Sequence, residues 1–214
     1  MTAADVVVAY RELADRGLNQ GSAGNVSVRS GAGMLITPTG ARAETLTAER
    51  IVPCALDGTW DGHWVPSSEW AMHAAVYARF PAAGAVVHTH SDACVALACL
   101  RRDLPAFHYM VAGFGGADVR CAPYATFGTP ALAEGAAAAL EGRTACLLAN
   151  HGMLCHGKDA AAAVATAVKL ETLVRQYLMT LQSGDPVLLD AEEMARVAEK
   201  YRSYGRQPAA GALR

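Results

Sequence analysis

The chain has 214 residues, 52% of them hydrophobic and 18% charged, which suits one compact core and excludes a disordered polymer. A net charge of −2 without a basic cluster removes the electrostatic footprint that nucleic acid requires. No apolar run reaches the roughly 18 residues of a membrane span, so a single non-membrane domain over 1–214 is expected.

The chain opens without the basic and apolar regions of a signal peptide. Its six cysteines, at 54, 94, 99, 121, 146 and 155, contain no Cys-x-x-Cys pair, and several sit inside apolar runs. They read as small buried hydrophobes of a reduced, cytoplasmic protein. Thr2 to Asp15 predicts a helix, with Asp5 three residues after the capping threonine and Gly17 as its stop. A Gly-rich turn entering a strand follows, Leu18-Asn19-Gln20-Gly21-Ser22-Ala23-Gly24-Asn25-Val26-Ser27-Val28, which offers backbone N–H groups and the neutral donors Ser22, Asn25 and Ser27. Met34 to Ile36 predicts a strand closed by Thr37-Pro38-Thr39-Gly40. Ile51 to Leu56 predicts another, ending at Asp57-Gly58. His63 and Trp64 read as structural. A helix is expected from Ser67 or Ser68 to Phe80, with the serines as caps and Glu69 in its first turn.

Ala85-Val86-Val87 reads as a short buried strand, and Ser91 caps a helix through Cys99. Pro105 to Gly116 is expected to be irregular, and Val119 to Ala122 a strand. Thr129-Pro130 opens an Ala-rich helix to Leu140. Ala145 to Ala149 and Met153 to Cys155 predict strands, and Asp159 to Leu181 the longest helix. A last helix is expected from Asp190 to Tyr201, with a frayed tail after Gly205. Together these predict an α/β/α sandwich, a central mixed and largely antiparallel sheet flanked by helices. No Gly-x-Gly-x-x-Gly or Gly-Lys-Ser/Thr stands at a strand–helix junction, so a nucleotide-binding fold has no support.

Side chains alternate along a strand, so His88 and His90 project to one side. With Glu69 nearby they form half of a metal site. His151, at the end of another apolar run, supplies a third imidazole. Three His and one Glu suit a divalent cation of the zinc kind. His73 shares a helical face with Glu69. It is read as packing or hydrogen-bonding within the helix, with ligation as the alternative.

These residues stand in segments that resemble the class II aldolase/epimerase (adducin-like) family, typified by L-fuculose-1-phosphate aldolase. The segments are 17–29, 34–40, 66–70, 86–90, 108–110, 121–129 and 150–152, covering nearly the whole length. The resemblance implies one zinc per subunit on Glu69, His88, His90 and His151. It further implies a substrate phosphate held by Gly24, Asn25, Thr39, Gly40, Ser67 and Ser68. None of those six is cationic, which backbone N–H groups, hydroxyls and a helix N-terminus make feasible.

The implied reaction is a retro-aldol cleavage of a ketose 1-phosphate to dihydroxyacetone phosphate and a small aldehyde. Glu69 is implied as ligand and then acid/base. Tyr109 is implied to handle the hydroxyl proton at the aldehyde side, across a subunit boundary of a homotetramer. Phe114 is larger than the family residue at its place and is expected to border the aldehyde pocket. Aldolases of 5-deoxy- or methylthio-pentulose 1-phosphates, an L-ribulose-5-phosphate 4-epimerase, a dehydratase and a non-catalytic adducin-like binding domain are the alternatives on this scaffold.

Overall fold

The computed structural model describes residues 1–205. Its strands are β1 (Asn25–Ser30), β2 (Gly33–Ile36), β3 (Val52–Cys54), β4 (Ala85–Thr89), β5 (Cys121–Ala122), β6 (Ala145–Leu148) and β7 (Gly152–Gly157). They form one sheet in the order β3-β2-β1-β4-β7-β6-β5. Every neighbouring pair is antiparallel except β5–β6. The helices are α1 (Ala3–Asp15), α2 (Trp70–Arg79), α3 (Asp92–Cys99), α4 (Pro130–Ala139), α5 (Ala160–Ser183) and α6 (Ala191–Tyr201).

Strand alternation divides the core into two layers. Ala85 and Val87 of β4, with Ala145, Leu147, Met153 and Cys155, face the cluster built from α1, α3 and α5. Val86, Cys146, Leu148 and Leu154 face the other cluster, built from α2 and α4. The mixed, mainly antiparallel sheet between helical layers agrees with the expected fold class. Among the described residues, no helix is long and apolar enough to cross a membrane.

Three local expectations need correction. The helix expected from Ser67 or Ser68 begins at Trp70, and Glu69 is its cap residue at φ −103°, ψ 16°. The serines are held elsewhere. Ser67 N–H donates to Thr37 O at 3.0 Å, and Pro66 bridges Pro38, which keeps this segment extended. The stretch expected to be irregular contains a 3₁₀ helix, Tyr109–Phe114, whose cap is His108 accepting from Met110 N–H. The strand expected from Val119 shrinks to Cys121–Ala122, with Val119 forming a lone bridge to Leu104. The tail expected to fray after Gly205 lies outside the described residues.

Candidate active site

At the end of β4, His88, His90, His151 and Glu69 present ligand atoms that all lie within 4.8 Å of one another. The three imidazole centroids are 4.8, 4.8 and 4.9 Å apart, with the rings steeply inclined to one another. His88 Nδ1–H donates to Met153 O at 2.7 Å, so the Nε2 of His88 carries a lone pair. That Nε2 lies 2.9 Å from His90 Nε2 and 3.2 Å from Glu69 Oε2. Glu69 Oε1 lies 3.2 Å from His151 Nε2, and it is buried with no hydrogen-bond partner among the described residues. The His88 Nε2 lone pair and the Glu69 Oε2 lone pairs need a proton or a metal ion between them at this distance, and three imidazoles with one carboxylate are an ordinary donor set for a divalent cation. The residues therefore fit a metal.

Burial opposes the charged form of the Glu69 carboxylate, but His151 and His88 outweigh it and hold the group well below the usual carboxylate range. Burial, followed by the charges of His88 and His151, pushes His90 down to about 4.

Backbone contacts explain how residues so distant in sequence meet. Asn25 stands opposite His88 in the β1–β4 ladder, and His88 opposite Leu154 in β4–β7. A Cβ at Gly152 would collide with Thr89 O and stand 3.2 Å from the His90 ring, so glycine is required for His90 and His151 to converge. Buried Glu171 of α5 accepts the Ala93 and Cys94 N–H groups at 3.0 Å each, which anchors the start of α3 just after His90. Its other end is tied to the His151 turn, where Asn150 N–H donates to Ala98 O and Arg101 Nε–H to Asn150 Oδ1 at 2.8 Å. Arg101 and Asn150 both have left-handed backbones, at φ 52° and 53°.

The expected phosphate residues lie on three segments that converge beside Glu69. Thr37 joins them, because Val26 N–H donates to its hydroxyl and its carbonyl accepts from Ser67 N–H. Thr39 N–H donates to Val65 O at 3.0 Å, pairing the second and third segments. Gly24, at φ +77°, passes so close to Asn19 and His88 O that a Cβ would clash. Asn25 is placed differently from the rest. Its Nδ2–H donates to Glu69 Oε2 at 3.0 Å and its Oδ1 faces His73 Nε2 at 2.6 Å.

His73 is fully buried and is not part of the ligand cluster. Its hydrogen bonds run to β1 rather than within the helix, which corrects that part of the expectation. Tyr109 is half exposed, stacks on His108 at 4.8 Å and lines a hollow with Lys169, Tyr201 and Tyr204, apart from the metal-type cluster of its own chain. Phe114 does not border the cleft. It is fully buried in the core with Lys169 Nζ 4.3 Å above its ring. The cleft over Glu69, His90 and His151 has a volume of about 240 Å³ and is walled by Tyr124 and Phe127, both exposed.

Sequence reasoning passed over Tyr77, Tyr124, Phe127 and the Arg101–Asn150 pair, and took Ser27 and Thr37 only as neutral hydroxyls without their contacts. A signal for two of them was available. Glu69, His73 and Tyr77 recur every four residues, and Asn25 and Ser27 every two, which are polar stripes on a helix and on a strand.

The Class II Aldolase and Adducin N-terminal domain profile matches residues 4–178. A 5-methylthioribulose-1-phosphate/5-deoxyribulose-1-phosphate aldolase of Rhodospirillum rubrum is 50% identical over 200 residues, 94% of this chain and 90% of that protein. The L-fuculose phosphate aldolase of Escherichia coli K12 is 48% identical over 195 residues, 91% of each chain. A solved L-fuculose 1-phosphate aldolase has a TM-score of 0.90 at 38% identity, covering 94% of this chain and 96% of that one. The geometry at the end of β4 thus sits in a chain that belongs to the class II aldolase family.

Proposed function

We propose that this class II aldolase-type lyase is zinc-dependent and cleaves a ketose 1-phosphate into dihydroxyacetone phosphate and a small aldehyde. One observation carries the reading most: a buried carboxylate oxygen without a hydrogen-bond partner points among three imidazoles, beside loops rich in neutral donors.

Glu69, His88, His90 and His151 would hold the metal, which when bound supplies Lewis-acid polarisation of the substrate carbonyl. The phosphate falls to Gly24, Thr39, Gly40, Ser67, Ser68 and the main chain of Asn25, whose side-chain amide is already held by Glu69 and His73. Ser67 Oγ accepts from Glu69 N–H at 3.3 Å, so its own proton is left to donate. Breaking the carbon–carbon bond leaves an enediolate. Glu69, once it has taken a proton from solvent, would deliver that proton to the enediolate carbon and return to the carboxylate form. Tyr109, supplied by a neighbouring subunit of a homotetramer, handles the hydroxyl proton on the aldehyde side.

A second reading changes only the sugar: a 5-deoxy- or methylthio-pentulose 1-phosphate. The 50% identity to an aldolase named for those substrates favours it. The exposed Tyr124 and Phe127 at the cleft give an apolar wall that suits a methyl or methylthio terminus. The test is dihydroxyacetone phosphate release from L-fuculose 1-phosphate, 5-deoxyribulose 1-phosphate, 5-methylthioribulose 1-phosphate and L-ribulose 5-phosphate. Release from one or more of the 1-phosphates is expected. Epimerisation of L-ribulose 5-phosphate without release from any 1-phosphate contradicts both readings.

A further inference from the structure

His73 is a fully buried histidine that neither binds the metal-type cluster nor enters the chemistry above. Both of its ring nitrogens are nevertheless engaged. Nε2 faces Asn25 Oδ1 at 2.6 Å and Nδ1 faces Ser27 Oγ at 2.7 Å, while Ser27 Oγ lies 2.8 Å from Tyr77 OH. At the other end, Asn25 Nδ2 reaches Glu69 Oε2 at 3.0 Å.

The positions of the protons in this chain follow from donor and acceptor chemistry. A carboxylate only accepts, so the Asn25 amide must turn its NH₂ to Glu69 and its carbonyl oxygen to His73. His73 must therefore carry its proton on Nε2. Nδ1 is left as an acceptor, which takes the Ser27 proton, and Ser27 Oγ then accepts from Tyr77. Four hydrogen bonds point one way, from Tyr77 to Glu69, among side chains withdrawn from water. Burial pushes His73 down to about 3, so the ring stays neutral. An Asn amide can present either end to a neighbour. Here the carboxylate sets the orientation, and the Nε2–H imidazole holds it by donating to the amide oxygen.

We propose that His73 is a positioning residue: it locks the Asn25 amide with its NH₂ on Glu69 Oε2, and thereby fixes the carboxylate with Oε2 against His88 and Oε1 turned to His151. Asn25 becomes the tether that keeps Glu69 aimed at the site after it leaves its ligand position. This rests on the reading of Glu69 as ligand and acid/base.

The first test needs no turnover. In metal-free wild-type protein at pH 7.5, the ¹⁵N shifts of His73 should show the neutral Nε2–H tautomer; an Nδ1–H tautomer or an imidazolium overturns the proposal. The second is a double-mutant cycle of His73→Leu and Asn25→Ala, with metal affinity measured by chelator competition and kinetics on the best ketose phosphate. Each single change should lower kcat at least tenfold with KM within threefold, and weaken the metal about tenfold. The double variant should be no worse than the poorer single, because one residue acts through the other. His73→Gln, whose amide N–H reaches the place of Nε2, should restore most of the loss.

Multiplying defects in the double variant, or an unchanged kcat and metal affinity in His73→Leu, overturn the proposal. If His73→Leu does not fold, the tautomer and the Asn25→Ala kinetics decide. A tenfold rise in KM with kcat unchanged would make Asn25 a substrate-binding side chain and sink the tether. Should wild-type protein cleave no sugar phosphate, the functional reading fails while the tautomer and metal affinities still judge His73.

Discussion

Glu69 carries two carboxylate oxygens in unlike surroundings. Oε2 is bonded by Asn25, whereas Oε1 has no hydrogen-bond partner. Glu69→Gln keeps the shape but presents a neutral amide to the imidazoles. Metal content should fall without vanishing, since three imidazoles remain, and kcat should drop at least a hundredfold. Proton exchange on dihydroxyacetone phosphate that survives the change undiminished would show that Glu69 is not the acid/base.

His73 makes a second prediction at this scale, about stability. Its value is about 3 in the fold against an ordinary 6.5, chiefly through burial. Between those values the unfolded chain binds a proton that the folded chain does not, so stability falls as pH drops through this window. The part lost between pH 6.5 and 5 is on the order of 2 kcal/mol. Urea unfolding of metal-free protein should show that loss, and His73→Gln should show a shallower one. Identical pH profiles for the two proteins would contradict it. The residues of the metal-type cluster were legible from the sequence because strand parity puts His88 and His90 on one side. Asn25 was legible as a residue of interest but not in its contact, because whether an amide meets a phosphate or a carboxylate depends on tertiary placement.

Among the elements, those with strong local punctuation were legible to within a residue or two. Thr2 and Asp5 form the expected capping box, Thr129-Pro130 opens α4, and Asp159 caps α5. The start of α2 was not legible, because a bridge between Pro38 and Pro66 competes with the capping tendency of Ser67 and Ser68. That competition puts Glu69 on the helix cap, where its side chain can turn to the imidazoles. The β4–β7 pairing makes a prediction of its own. Gly152→Ala places a methyl against Thr89 O and the imidazoles, so metal affinity should fall more than tenfold in a protein that still folds. Unchanged metal binding, read by chelator competition, would show that this close approach does not set the site.

For the whole molecule, a mixed sheet between helical layers was legible as a class, whereas the strand order was not, because pairing between distant segments is set by tertiary packing. Tyr109 lies apart from the cluster of its own chain, and it was the family resemblance, not residue spacing, that carried the expectation of a role at a neighbouring subunit's site. If neighbouring subunits share it, Glu69→Gln and Tyr109→Phe are complementary defects. Mixed and reassembled, the two should recover roughly a quarter of the sites in statistical mixing of equal amounts, because half of all pairings across a boundary join unlike chains and half of those are intact on both sides. Mixed oligomers without recovered activity would place Tyr109 outside the chemistry.

Under the proposed mechanism, cleavage depends on a divalent cation held by Glu69, His88, His90 and His151. Metal content per chain and dihydroxyacetone phosphate release should be measured on the same samples before chelation, after it, and after adding zinc back. One metal per chain should accompany full rate, removal should abolish cleavage, and zinc should restore it in proportion to occupancy. Full activity in protein stripped of metal would contradict the account.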